Sequence, residues 1–159
     1  MLFRSTTPVK PEVLARVAEA LVIGGNPSSV HQTGRLARAA IDQARDAIAD
    51  LVGAEPEQVI FTSGATEANH LAIRSLAAGA ATKLRACAAA RVLISAIEHD
   101  SVVGAARSCD LPVEEVPVTP DGVIDLAALE RMLGAGGPAV VALMLANNET
   151  GVVQPVRAA

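Results

Sequence analysis

Arg91-Val-Leu-Ile-Ser-Ala96, then Ile97-Glu98-His99-Asp100-Ser101-Val-Val-Gly-Ala-Ala-Arg-Ser108, then Val113-Glu-Glu-Val-Pro-Val118 decide the fold. The first stretch reads as a strand, the second as a helix from about Asp100 to Ser108, and the third as a second strand. Strand, helix and strand in that order predict a right-handed crossover between parallel strands. The alternation continues on both sides, with a short strand at Gln58 to Thr62 and a helix from about Thr66 to Ala78 upstream. Downstream come a helix at Leu126 to Leu133 and a strand at Ala139 to Ala146. This last strand is apolar without alternation, which predicts helices covering both its faces. The expected fold is α/β, a mostly parallel sheet with flanking helices.

Two helices precede this pattern. Lys10 to Ile23 begins near Pro8 and Pro11 and stops at Gly24-Gly25. Arg35 to Val52 carries Leu36, Ala40, Ile41, Ala44, Ala47, Ile48, Leu51 and Val52 on one stripe at helical spacing, and Gly53 ends it. Arg38 and Asp42 stand opposite that stripe at pairing distance, a contact worth only about 0.3 kcal/mol. Pro117 to Gly122 reads as a turn, and Gly79 to Ala90 as a loose helix end plus linker.

Composition narrows the function classes. The 159 residues suit one domain, and with 51% apolar and 19% charged residues they can bury a core. Two Phe, no Trp and no Tyr leave no aromatic platform for single-stranded nucleic acid. A net charge of -4, with 13 basic residues scattered among 17 acidic ones, argues against a phosphate-backbone partner. Cys87 and Cys109 cannot make a disulfide framework and fit a reducing compartment. No run reaches the roughly 18 to 20 apolar residues of a membrane span, and Met1 to Ser5 has no signal-peptide core. The expectation is a soluble cytoplasmic protein with no nucleic-acid or membrane partner. His31 and His70 lie far from any Cys-x-x-Cys pair, so no metal site is expected.

Three segments carry chemistry. Phe61-Thr-Ser-Gly-Ala-Thr-Glu67 lies between a strand and a helix: Gly64 admits a ligand close to the backbone, and Ala65 and Thr66 offer amide N–H groups at a helix N-terminus, with the Thr66 hydroxyl beside them. That arrangement holds a phosphate. An ordinary helix start, with Ser63 or Thr66 as cap and Glu67 in the first turn, explains the same residues. His99 follows the strand Arg91 to Ala96, where an imidazole can stack on a planar ring or move protons near neutral pH, or simply sit solvated at a helix start. Asn147-Asn148-Glu-Thr-Gly151 follows the last strand: an Asn amide there can bond a ligand oxygen, or close an Asx turn on Gly151. All three segments fall at carboxyl ends of predicted strands, where a parallel sheet assembles its site.

Taken together, these segments resemble a known family. Gly25-Asn-Pro-Ser-Ser-Val-His31-Gln-Thr-Gly34-Arg35, Phe61 to Glu67, Glu98-His99 and Asn147-Asn-Glu-Thr-Gly-Val-Val-Gln154-Pro155 match, in order, the pattern of cysteine desulfurases. These are class V aminotransferases of fold type I that use pyridoxal 5'-phosphate. Ser5 to Pro8 resembles the start of that family, and the match runs from about Ser5 to Val156. The loop Gly25 to His31 favours desulfurases over other class V enzymes. The resemblance implies that Ala65 and Thr66 hold the cofactor phosphate, that His99 stacks on the pyridine ring and assists proton transfers, and that Asn148 contacts the ring's phenolic oxygen. It implies removal of sulfur from L-cysteine to give L-alanine and an enzyme persulfide, delivered to a sulfur-acceptor protein for iron–sulfur or thio-cofactor assembly, by a homodimer.

Departures from the family pattern qualify this. Lys10 and Lys83 are the two lysines, and neither sits in the Ser/Thr-x-His-Lys setting of the family's Schiff-base lysine. The Asp and Gln that touch the pyridine ring are missing, and neither Cys87 nor Cys109 matches the loop cysteine that accepts sulfur. His70 stands where Asn is usual, Gly79 to Ala90 is longer than usual, and the strand before Ser5 is shortened. Residues 1–159 thus read as the N-terminal portion of such a domain, stopping just after a strand and its loop, and are expected to be inactive alone. Another class V enzyme (an aminotransferase or selenocysteine lyase), or a non-catalytic remnant pairing with a full-length subunit, would share these residues. A plain phosphate-binding domain would need a P-loop or dinucleotide fingerprint, and neither is present.

Overall fold

The structure, a computed structural model, describes residues 7–79 and 89–159. They pack as two compact units, Met1–Phe61 and Thr62–Ala159.

In the first unit, α1 (Pro11–Leu21) opens with a proline in its first turn, where a missing N–H leaves no bond unmade. α2 (Gln32–Val52) begins earlier than the expected Arg35 because His31 caps it. The His31 Nδ1 accepts the Gly34 N–H at 3.4 Å and lies 2.9 Å from Thr33 Oγ1. Gly34 is buried in that first turn, and a Cβ there would stand 2.5 Å from the Ser29 carbonyl oxygen. The loop from Gly25 to His31 therefore rests directly on the helix. Gly53 ends α2 in the left-handed region at φ +68°, and Arg38 pairs with Asp42 at 2.9 Å on its exposed face. The strand expected at Gln58 to Thr62 does not form. Pro56–Gln58 is a 3₁₀ turn, closed by the Glu55 N–H donating to Gln58 Oε1 at 2.8 Å. Val59 beyond it is extended, but this stretch has no ladder partner among the described residues. An extended run becomes a strand only beside a neighbour.

The second unit holds α3 (Ala65–Ala77), β1 (Arg91–Ser95), α4 (Asp100–Arg107), β2 (Val113–Val116), α5 (Leu126–Gly134) and β3 (Ala139–Ala142). Its three strands are parallel in the order β2-β1-β3, with Leu93 between Glu114 and Val141. Alternation of side chains along β1 supplies both faces of the core. Val92 and Ile94 pack with Ile73 of α3 and Ala105 and Ala106 of α4. Leu93 packs the opposite way, with Val116, Ile124 and Leu129 of α5. The helices at 66–78, 100–108 and 126–133 appear within one residue of expectation.

Two strands are shorter than read. The strand covered on both faces is β1, all five of whose residues are buried, whereas β3 is an edge strand with Val141 40% exposed. β3 also stops at Ala142, because β1 ends at Ser95 and the Met144 N–H turns instead to a side chain, Glu98 Oε1 at 2.6 Å. β2 stops before Pro117, which has no N–H for a ladder. Val118 then bridges to Ile124 across a turn with Gly122 at φ +75°, as the Pro117 to Gly122 stretch predicts. Most of Gly79 to Ala90, with Cys87, lies outside the described residues, as do Ser5, Thr6 and the strand before them.

Candidate functional site

At the start of α3, Gly64 is the N-cap and carries no side-chain cap. Neither Ser63 nor Thr66 caps the helix. Ser63 turns away, donating its N–H and its hydroxyl to Glu67 Oε2 at 2.7 and 2.6 Å. Those bonds, the hydroxyl's first, hold the Glu67 carboxyl below its usual range. The leading amides of Ala65 and Thr66 have no hydrogen-bond partner among the described residues, as the first N–H groups of a helix must when no cap reaches them. In front of them a Cβ on Gly64 would meet nothing within 4 Å. The amides, the open approach and the Thr66 hydroxyl suit an anion.

At the carboxyl end of β1, His99 is the N-cap of α4. Its Nδ1 accepts the Ser101 N–H at 3.1 Å and lies 2.8 Å from Ser101 Oγ, which in turn accepts from Asn69 Nδ2 of α3 at 2.8 Å. Asn69 is one turn beyond Ala65, so the open helix start and the histidine are tied to one edge of the unit.

Asn147 and Asn148 divide the two readings of their segment. Asn147 Oδ1 accepts the N–H groups of Glu149 and Thr150, an Asx turn, while its Nδ2 donates to the Ile97 carbonyl at 3.1 Å. Asn148 makes no side-chain hydrogen bond among the described residues. It lines a cavity of about 310 Å³ together with His99, Glu98 and Thr150. The cavity brings His99 and Asn148 together; Ala65 and Thr66 do not line it.

The roles of several residues escaped sequence reading, although Glu98, Asn147 and Gln154 stand within the motifs quoted above. Glu98, half-buried in that wall, pins the start of the last loop through Met144, and Asn147 makes the second cross-link to Ile97. Gln154 is buried, accepts the Ile124 N–H at 2.8 Å and donates to the Gly122 carbonyl at 2.9 Å, so it fastens the chain after the loop. Ser101 and Asn69 were silent as well. No local spacing marks the roles of Glu98, Gln154 and Asn69, whose partners lie 30 or more residues away. Among the described residues no group of three His, Cys, Asp or Glu side chains is placed to hold a metal. The Cys109 thiol donates to the Ala105 carbonyl at 3.4 Å within its own helix end.

Burial raises the Glu98 carboxyl above its usual 4.5, against the Met144 N–H and the neighbouring His99, which lower it. The native state therefore binds this proton more tightly than the unfolded chain does. Its contribution to stability is fully present below pH 4.5 and is lost as pH rises toward the raised value. Glu98→Gln keeps an acceptor for Met144 and removes the charge. In urea titrations between pH 4 and 7, the wild type should lose stability relative to this variant as pH rises. A difference independent of pH would contradict the assignment.

The aminotransferase class-V family model matches residues 2–159. The chain belongs to the class V aminotransferase family. A cysteine desulfurase of Frankia sp. (strain EuIK1) is 39% identical over 165 residues, spanning 96% of this chain and 38% of its own length. The cysteine desulfurase IscS of Proteus mirabilis (strain HI4320) is 39% identical over 163 residues, spanning 98% of this chain and 39% of its own. The X-ray structure of a NifS-like protein from Rickettsia africae ESF-5 superposes with a TM-score of 0.78 at 29% identity, over 94% of this chain and 40% of that one. This class V member thus spans about two-fifths of the length of the relatives it matches. Its parallel sheet and flanking helices are a partial fold type I domain.

Proposed function

We propose that these residues are the cofactor-holding portion of a cytoplasmic, dimeric cysteine desulfurase that takes sulfur from L-cysteine, leaves L-alanine and passes a persulfide to an acceptor protein. The uncapped start of α3, on the same edge of the unit as His99 and Asn148, carries the reading. Pyridoxal 5'-phosphate fits the residues present: an anion suits the open amides, and the cavity wall offers an imidazole and an uncommitted carboxamide. The Ala65 and Thr66 amides and the Thr66 hydroxyl would hold its phosphate, Asn148 would donate to its phenolic oxygen, and His99 would face its ring. When bound, the cofactor supplies an electron sink for the substrate's α-carbon. The chain's residues orient it, and His99 would carry a proton at Nε2, its Nδ1 being held by Ser101.

Residues 1–159 contain Lys10 and Lys83 alone, neither in a His-Lys setting, so covalent attachment of the cofactor needs a lysine from further polypeptide. The 159 residues, given pyridoxal 5'-phosphate and L-cysteine, should release no alanine above the cofactor alone; turnover would overturn that requirement. In a preparation where further polypeptide supplies the lysine and a loop cysteine, alanine and transferable sulfur should appear in equal amounts. A keto acid in place of alanine would instead support a class V aminotransferase.

A further inference from the structure

The hydroxyl of Ser101 is 8% exposed by residue and stands between two groups of opposite need. Asn69 Nδ2 can only donate, and it reaches Ser101 Oγ at 2.8 Å. That occupies a lone pair of the hydroxyl and leaves its proton to point at His99 Nδ1, also 2.8 Å away. The backbone N–H of Ser101, again purely a donor, meets the same Nδ1 at 3.1 Å. A ring nitrogen that accepts from both carries no proton of its own, so the neutral imidazole keeps its proton on Nε2. The hydroxyl makes the shorter contact and supplies most of the preference, the 3.1 Å backbone contact being too weak to hold the tautomer alone.

We propose that Ser101, oriented by Asn69, is a positioning residue that locks the His99 ring in the Nε2–H form. At rest His99 then offers the cavity a proton and not a lone pair. It becomes a base at Nε2 only after that proton has been given up. The lock also ties this choice to α3, the helix whose first amides are open, because Asn69 reaches across from it. The inference deepens the proposed role of His99, yet the tautomer itself is a property of these residues without any cofactor.

Long-range ¹H–¹⁵N correlation of histidine side chains, at a pH where the imidazoles are neutral, reads the tautomer directly. Removing His31 or His70 singly assigns the three rings. Wild-type His99 should show the Nε2–H pattern alone. Ser101→Ala should convert it to a mixture in which an Nδ1–H form appears, and Ser101→Thr, which keeps the hydroxyl, should restore the wild-type pattern. Asn69→Asp keeps the side chain's shape but accepts the Ser101 proton, so it should give the mixture even if Ser101→Ala fails to fold. Ser101 acting only as packing would change stability in these variants and leave the tautomer untouched. A pure Nε2–H pattern in folded Ser101→Ala or Asn69→Asp, or a wild-type ring in mixed form, would overturn the proposal. Failure of the protein to bind pyridoxal 5'-phosphate would sink the functional reading and leave this result standing.

Discussion

Leu93→Ala should lower the stability of the second unit by about 3–5 kcal/mol, enough to unfold a marginal domain. Leu93 is fully buried at the centre of the middle strand and fills the face shared with Val116, Ile124 and Leu129. Removing its branched end leaves a cavity that strands fixed on both sides cannot collapse around. Val141 stands beside it in register but on the edge strand, 40% exposed, so Val141→Ala should lose less than about 1 kcal/mol. Urea midpoints of the two variants compare them in one experiment. Equal losses would mean that β1 is not the covered strand.

Gly34→Ala should destabilise by about 1–3 kcal/mol, against the ordinary helix preference. Alanine in place of a helical glycine usually gains about 0.5–1 kcal/mol. At Gly34 the new Cβ would stand 2.5 Å from the Ser29 carbonyl oxygen, 2.7 Å from that of Asn26 and 2.8 Å from Ser29 Cβ. Two of the three are backbone atoms that no rotamer change can move aside, so the clash outweighs the entropy gain. Gly104, inside α4, makes the control: a Cβ there meets the His70 ring at an ordinary 3.9 Å, and Gly104→Ala should be neutral or stabilising. Thermal melts of both variants give the signs. Stabilisation by Gly34→Ala would mean that the loop does not lie on the first turn of α2.

The elements of the second unit were legible because each is a local pattern: the helical stripes and apolar runs of 91–142 need only their own residues to be read. What failed needed a neighbour. Gln58 to Thr62 has strand chemistry but no partner strand among the described residues, and Ala139 to Ala146 is apolar throughout yet loses its ladder where β1 ends. Apolar character alone could not distinguish the central strand from the edge, since Arg91 opens the strand that is wholly buried. The site was legible in part. His99 and Asn148 stood out by residue type, but the division of labour between Asn147 and Asn148 rests on bonds to Ile97, Glu149 and Thr150 that spacing cannot rank. Glu98 and Asn69 act through partners on other elements, and no periodicity points to them.

The most direct test follows the backbone amides of this chain by ¹H–¹⁵N spectra during titration with pyridoxal 5'-phosphate, and in parallel with pyridoxal, which lacks the phosphate. The expected result is that the phosphorylated compound shifts Ala65 and Thr66 together with His99 and Asn148, while pyridoxal leaves Ala65 and Thr66 unmoved. Shifts confined to other residues, or identical responses to the two compounds at Ala65 and Thr66, would contradict a phosphate site at the start of α3.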